Sequence, residues 1–95
     1  MNINMLKFLK NLFIDSFEFK PERFESMFFD AYNIQYKKKG YIDEHWIYTS
    51  LDLTYKVNGS ECIVLLNGKE HYTIEFIHNM KYNVETLFYN IKKFY

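Results

Sequence analysis

A single cysteine, Cys62, rules out an intrachain disulfide and any zinc site built from several cysteines, and it suits a reducing compartment. One proline and three glycines leave no material for a flexible linker or a low-complexity segment. Neither charge sign is in excess: twelve basic and twelve acidic residues cancel, so no overall field draws the chain to nucleic acid or to an anionic membrane. No stretch approaches the roughly 18 uninterrupted apolar residues of a membrane span. The N-terminal segment resembles a signal peptide only superficially, because Lys7 and Lys10 interrupt its apolar run and no small-residue cleavage site follows. The expectation is a cytoplasmic protein with no transmembrane segment. Also absent are a Gly-rich phosphate loop, GxSxG, HExxH, CxxC and an acidic calcium loop, so neither cofactor nor metal is expected.

Aromatic residues are abundant instead. Ten Phe, nine Tyr and one Trp make 21% of 95 residues, which argues for one packed domain spanning 1–95 and against disorder. Eleven Lys against one Arg, nine each of Asn and Ile and a single Ala point to an AT-rich genome.

The chain is organised around His45 to Ile77, where Asn58-Gly59 and Asn67-Gly68 punctuate three apolar-rich runs. An Asn-Gly pair between such runs is the strongest short hairpin signal, because both residues tolerate positive φ. A three-stranded antiparallel meander follows. In its first strand Leu51, Leu53, Tyr55 and Val57 occupy odd positions and Ser50, Asp52, Thr54 and Lys56 even ones, giving a dry and a wet face. A two-residue loop at Asn58-Gly59 sets Tyr55 against Cys62 and Leu53 against Val64. A two-residue loop at Asn67-Gly68 would turn Tyr72, Ile74 and Phe76 to the wet side, so a three-residue loop, Leu66-Asn67-Gly68 with a Gly68 bulge, is expected.

Helices must cover the dry face. Asn2 to Ile14 has the apolar spacing of a helix in Met5, Leu6, Leu9, Leu12 and Phe13, expected to pack on the domain in preference to a membrane or a partner. Pro21 opens a second helix over 21–38, with Phe24, Met27, Phe28, Ala31 and Ile34 as its stripe, lysines at its C-terminal end and Gly40 as the stop. Asn83 is an N-cap for a third, with Val84, Leu87, Phe88 and Ile91 on one face. The expected fold is a two-layer α+β domain of order ααβββα.

Function is less legible than fold. Cys62 falls on the dry face and reads as structural, and His71 with Glu75 on the wet face is a weak candidate for a small enzyme or metal site. His45 and His78 point to no shared site. Lys37, Lys38 and Lys39, with Lys92 and Lys93, are candidates for nucleic-acid contact should the two clusters converge. Trp46 and Tyr48, at the wet-side start of the first strand, join Ile63 and Leu65 as candidates for a protein-binding surface, since Trp and Tyr dominate interface hot spots. The leading expectation is a non-enzymatic binding module that inhibits or occludes another protein. A small, neutral, cysteine-poor domain of this kind fits an accessory protein of a phage or mobile element, of the anti-defence or immunity type. Homodimerisation is a further expectation, because a three-stranded sheet has two edges to protect.

Overall fold

The structure is a computed structural model and describes residues 19–95. The expected helix from Asn2 to Ile14 lies outside the described residues. The remainder is an α+β domain built on an antiparallel sheet, but the sheet has five strands where three are expected. A helical segment precedes the strands in the chain and another follows them. The strands are β1 (Lys37–Ile42), β2 (His45–Ser50), β3 (Leu53–Val57), β4 (Glu61–Leu66) and β5 (Lys69–Glu75), each hydrogen-bonded to its chain neighbour in the order β1-β2-β3-β4-β5.

The first helix, α1, is shorter than the expected 21–38. It runs as α-helix over Pro21–Phe24 and as π-helix over Glu25–Asp30, with the Ala31 amide bonded to the Ser26 carbonyl. The wider turn has a packing consequence. Residues five apart line up on a π-turn, so Phe29 joins Phe24 and Phe28 on the buried side, whereas a regular helix would rotate it away. Asn33, at φ 58°, supplies the left-handed residue after the helix. The three lysines expected at the helix end belong to β1. Gly40, at φ 136°, sits beside the β-bulge that Lys39 makes against β2.

The expected single first strand is two strands, because Leu51-Asp52 forms a two-residue hairpin loop with Ser50 opposite Leu53. Leu51 takes φ 54° and is 73% exposed, so it leaves the expected dry face. Cross-strand partners share a face, so this hairpin puts the even positions Trp46, Tyr48 and Ser50 on the same side as the odd positions Leu53, Tyr55 and Val57.

The next two connections also differ from expectation, yet both preserve the faces. Tyr55 lies opposite Val64 and Val57 opposite Cys62, two residues from the expected register. The Asn58 side chain builds the longer turn by accepting from the Ser60 and Glu61 amides. Gly59 in this turn lies against residue 19, where an added Cβ would come within 3.0 Å of Phe19 Cβ. At Asn67-Gly68 both residues have positive φ and Leu66 pairs with Lys69, a two-residue loop. The one-residue correction comes instead from a bulge at His71, since Leu65 faces Glu70 while Val64 faces Tyr72.

The inner face of the sheet carries Tyr48, Tyr55, Val57, Cys62, Val64 and Ile74, and Phe24, Phe28 and Phe29 of α1 form one core with them. The last helix, α2 (Met80–Ile91), completes that core with Val84, Leu87 and Ile91, and its Phe88 ring stacks on Tyr32 at 4.0 Å. Its cap is Asn79, whose side chain accepts from the Tyr82 amide, not the expected Asn83. Asn83 is fully buried. Its Nδ2 donates to the Ile77 carbonyl at 2.8 Å and its Oδ1 accepts from the Ile77 amide at 3.1 Å. Asn83→Ala strands both backbone groups and is expected to lower stability by about 2 kcal/mol, read from the urea midpoint.

Candidate functional site

The four residues expected to form a binding surface do not come together. Tyr48 and Trp46 face inward. Tyr48 is fully buried, and Trp46 is partly buried with the Lys38 ammonium 4.6 Å from its ring centre and the Tyr41 ring at 5.3 Å. Ile63 and Leu65 lie on the opposite, outer face, opposite Lys56 and Thr54 of β3.

Inward, Tyr48 belongs to a polar cluster on Glu25 of α1. The Glu25 carboxylate accepts from the Tyr48 hydroxyl at 2.6 Å and the Tyr36 hydroxyl at 3.4 Å, and pairs with the Lys38 ammonium at 2.8 Å. Burial on its own pushes the Glu25 carboxyl up. The Lys38, Tyr48 and Tyr36 donors outweigh it and hold the group below its ordinary value. Burial, followed by donation to Glu25, drives the Tyr48 phenol well above the ordinary tyrosine range. A carboxylate held ionised by three donors beside a phenol held neutral is a structural clamp between α1, β1 and β2, with neither group tuned toward neutral pH.

Lys38 is therefore committed, and the expected lysine surface loses its central member. Lys37 and Lys39 stay exposed at the β1 edge. Lys92 and Lys93 lie in a 3₁₀ turn (Lys92–Phe94) after α2, near the Tyr89 and Phe94 rings respectively. The C-terminal Tyr95 hydroxyl donates to Ser50 Oγ at 2.8 Å and lies 2.9 Å from the Tyr55 hydroxyl, which ties this turn to the sheet.

The candidates for chemistry are likewise dispersed. His71 occupies the β5 bulge with its ring 4.9 Å from that of Phe94, while Glu75 lies opposite Glu61. Cys62 is buried, and burial drives its thiol well above the ordinary range, away from the reactive thiolate. Among the described residues no group of three or more His, Cys, Asp or Glu side chains could hold a metal ion. Sequence reasoning missed a histidine-carboxylate pair, His45 and Glu61, on the outer face. His45 Nε2 lies 2.8 Å from Glu61 Oε2, and its Nδ1 lies 2.7 Å from the Asp43 carbonyl. Both ring nitrogens are engaged within the protein, and none is left for a substrate. Sixteen residues separate the pair, and only the register of β2, β3 and β4 brings it together.

The outer face itself is organised in rows. Gly40, Ile47, Lys56, Ile63 and Thr73 follow one another across the five strands, and Thr49, Thr54, Leu65 and Glu70 form the neighbouring row. Ile42 lies on this side too, opposite His45, and is 56% exposed. The two described helices pack on the inner face, so these residues lie on the other side from the core. The molecule is thus a five-stranded antiparallel α+β meander whose outer face mixes aliphatic residues and threonines with charged ones, Lys56 at its middle. No family model, no curated protein and no solved structure matches the chain. No helix among the described residues is long and apolar enough to cross a membrane.

Proposed function

We propose that this protein is a non-enzymatic binding module that occludes a site on another protein with the outer face of its sheet. The observation that carries the reading is the composition of that face. Ile47, Ile63 and Leu65 lie near its centre, flanking the Lys56 side chain of the middle strand, with threonines among them and Lys37, Glu61, Glu70 and Glu75 around the margin. Aliphatic side chains around a single central lysine, inside a polar rim, give the mixed apolar and polar surface of a non-obligate protein interface. An accessory role in a phage or mobile element, of the anti-defence or immunity type, is the finer part of the proposal and rests on composition.

The two sheet edges weigh against self-association by strand addition. β1 carries Lys37, Lys38 and a bulge at Lys39, and β5 carries Lys69, Glu70 and a bulge at His71. Charged side chains and bulges are the usual means of blocking edge pairing. The expected homodimer therefore loses the reason first offered for it.

The test pairs two variants in an affinity capture from host lysate treated with nuclease. Ile63→Lys with Leu65→Lys is expected to retain the native circular dichroism spectrum and lose a discrete protein partner that the wild type retains. Trp46→Ala is expected to keep that partner. Equal recovery by the wild type and the outer-face variant would end the proposal, and recovery abolished by nuclease would transfer attention to the lysines.

A further inference from the structure

A cleft of about 710 Å³ opens at the end of the sheet where the β3–β4 turn, the start of α1 and the start of α2 meet. Its lining combines two chemistries. Phe19, Met27 and Phe76 are partly buried apolar side chains, and Lys20, Arg23 and Lys81 are exposed cations. Among the described residues no carboxylate lines the cleft. None of the three cations takes part in an ion pair or side-chain hydrogen bond among the described residues. This is unusual in a chain with no net charge: both ion pairs among the described residues lie elsewhere, on Glu25 and Glu61, while three like charges share one concavity. The first turn of the twelve-residue α2, which begins at Met80 on the cleft wall, adds partial positive charge from its backbone.

We infer that this cleft binds a nucleotide, with the phosphate held by Arg23, Lys20 and Lys81 and the base resting on Phe19 and Phe76. A phosphate monoester carries between one and two negative charges at neutral pH and three acceptor oxygens, which matches a guanidinium flanked by two ammonium groups. Two rings beside the cations supply what a flat heterocycle stacks on. The volume falls within the range of small-ligand sites, roughly 300–1,000 Å³. The same chemistry is presented by a free mononucleotide and by the phosphorylated end of a nucleic-acid strand. The site is independent of the outer face and of the five lysines singled out in the sequence. The three cations are scattered at positions 20, 23 and 81, so no charge run announces them.

Adenosine monophosphate is the probe, titrated at constant ionic strength into the nitrogen-labelled full chain while amide resonances are followed by NMR. Saturable shifts are expected at Gly59, Met80 and Lys81. Adenosine and inorganic phosphate should each bind at least about tenfold more weakly than the monophosphate, since each supplies half of the contacts. Arg23→Gln with Lys81→Gln, both at exposed positions, should keep the dispersed spectrum and weaken binding by about tenfold or more. A tetranucleotide with a 5′ phosphate separates the sources: tighter binding than the monophosphate identifies a strand end, weaker binding a free nucleotide. The inference is overturned if the shifts are linear in ligand, if they map elsewhere, if adenosine binds as well as its monophosphate, or if the folded double variant binds like the wild type.

Discussion

Phe29→Ala is expected to lower the stability of this domain by about 3–5 kcal/mol, the usual cost of deleting a fully buried aromatic ring. The Phe29 ring lies 4.3 Å from Tyr36 and 5.1 Å from each of Phe28, Tyr48 and Tyr55. Removing it opens a cavity between α1 and the sheet that rigid rings on every side cannot refill. Domains of this size often hold no more than 5–15 kcal/mol in total, so the variant should be partly unfolded at body temperature. The urea midpoint against wild type is the measurement. A loss below about 1 kcal/mol would mean that the π-turn does not direct Phe29 into the core.

Glu25→Gln is expected to cost about 1–2 kcal/mol at neutral pH, because it removes the charge that the partly exposed Lys38 and the two phenols are arranged around. The sign of the pH dependence follows from the Glu25 carboxyl being held below its ordinary value of 4.5 in the folded state. A carboxyl lowered by folding stabilises the native state fully above its unfolded pKa, and that contribution is lost as the pH falls through the folded pKa. The stability gap between wild type and Glu25→Gln should accordingly be widest near pH 7 and close below pH 4.5. A gap that does not change with pH would show that the glutamate contributes shape and not charge. Denaturant melts of both proteins at four or five pH values decide the matter.

The parity of apolar positions was legible, and so was its main consequence: Leu53, Tyr55, Cys62, Val64 and Ile74 do share the buried face. Parity survives a register error of two residues, which is why the expected pairing of Tyr55 with Cys62 could be wrong while the face was right. The extra strands were hidden for a related reason. The turns at Asp43-Glu44 and Leu51-Asp52 use positive φ at Asp43, Glu44 and Leu51, none of them glycine, so the chain gives no hairpin signal there. Missing the second of these turns inverted the assignment of Trp46 and Tyr48, because the parity of β2 is opposite to that of β3. The π-turn was invisible to a reading based on a period of 3.6, which extended α1 through residues that pair as β1. Of the candidate sites, Ile63 and Leu65 were placed on the outer face correctly, whereas the cleft cations, brought together only by the turn and both helices, could not be foreseen from local pattern.

The nearest-neighbour topology of the sheet also bears on how the chain reaches this fold. Every strand pairs with the one next to it in sequence, so each hairpin closes a short loop and the sheet can grow by successive local steps. The contacts that must wait are those that α2 and the turn after it make with earlier segments: Phe88 on Tyr32, and Tyr95 on Ser50 and Tyr55. On this view Tyr95→Phe should speed unfolding while leaving the refolding rate nearly unchanged in stopped-flow kinetics, and a slowed refolding limb would place the C-terminal turn in the folding nucleus. Folding would then zip the five strands first and add the Tyr95 contacts afterwards as a latch across them.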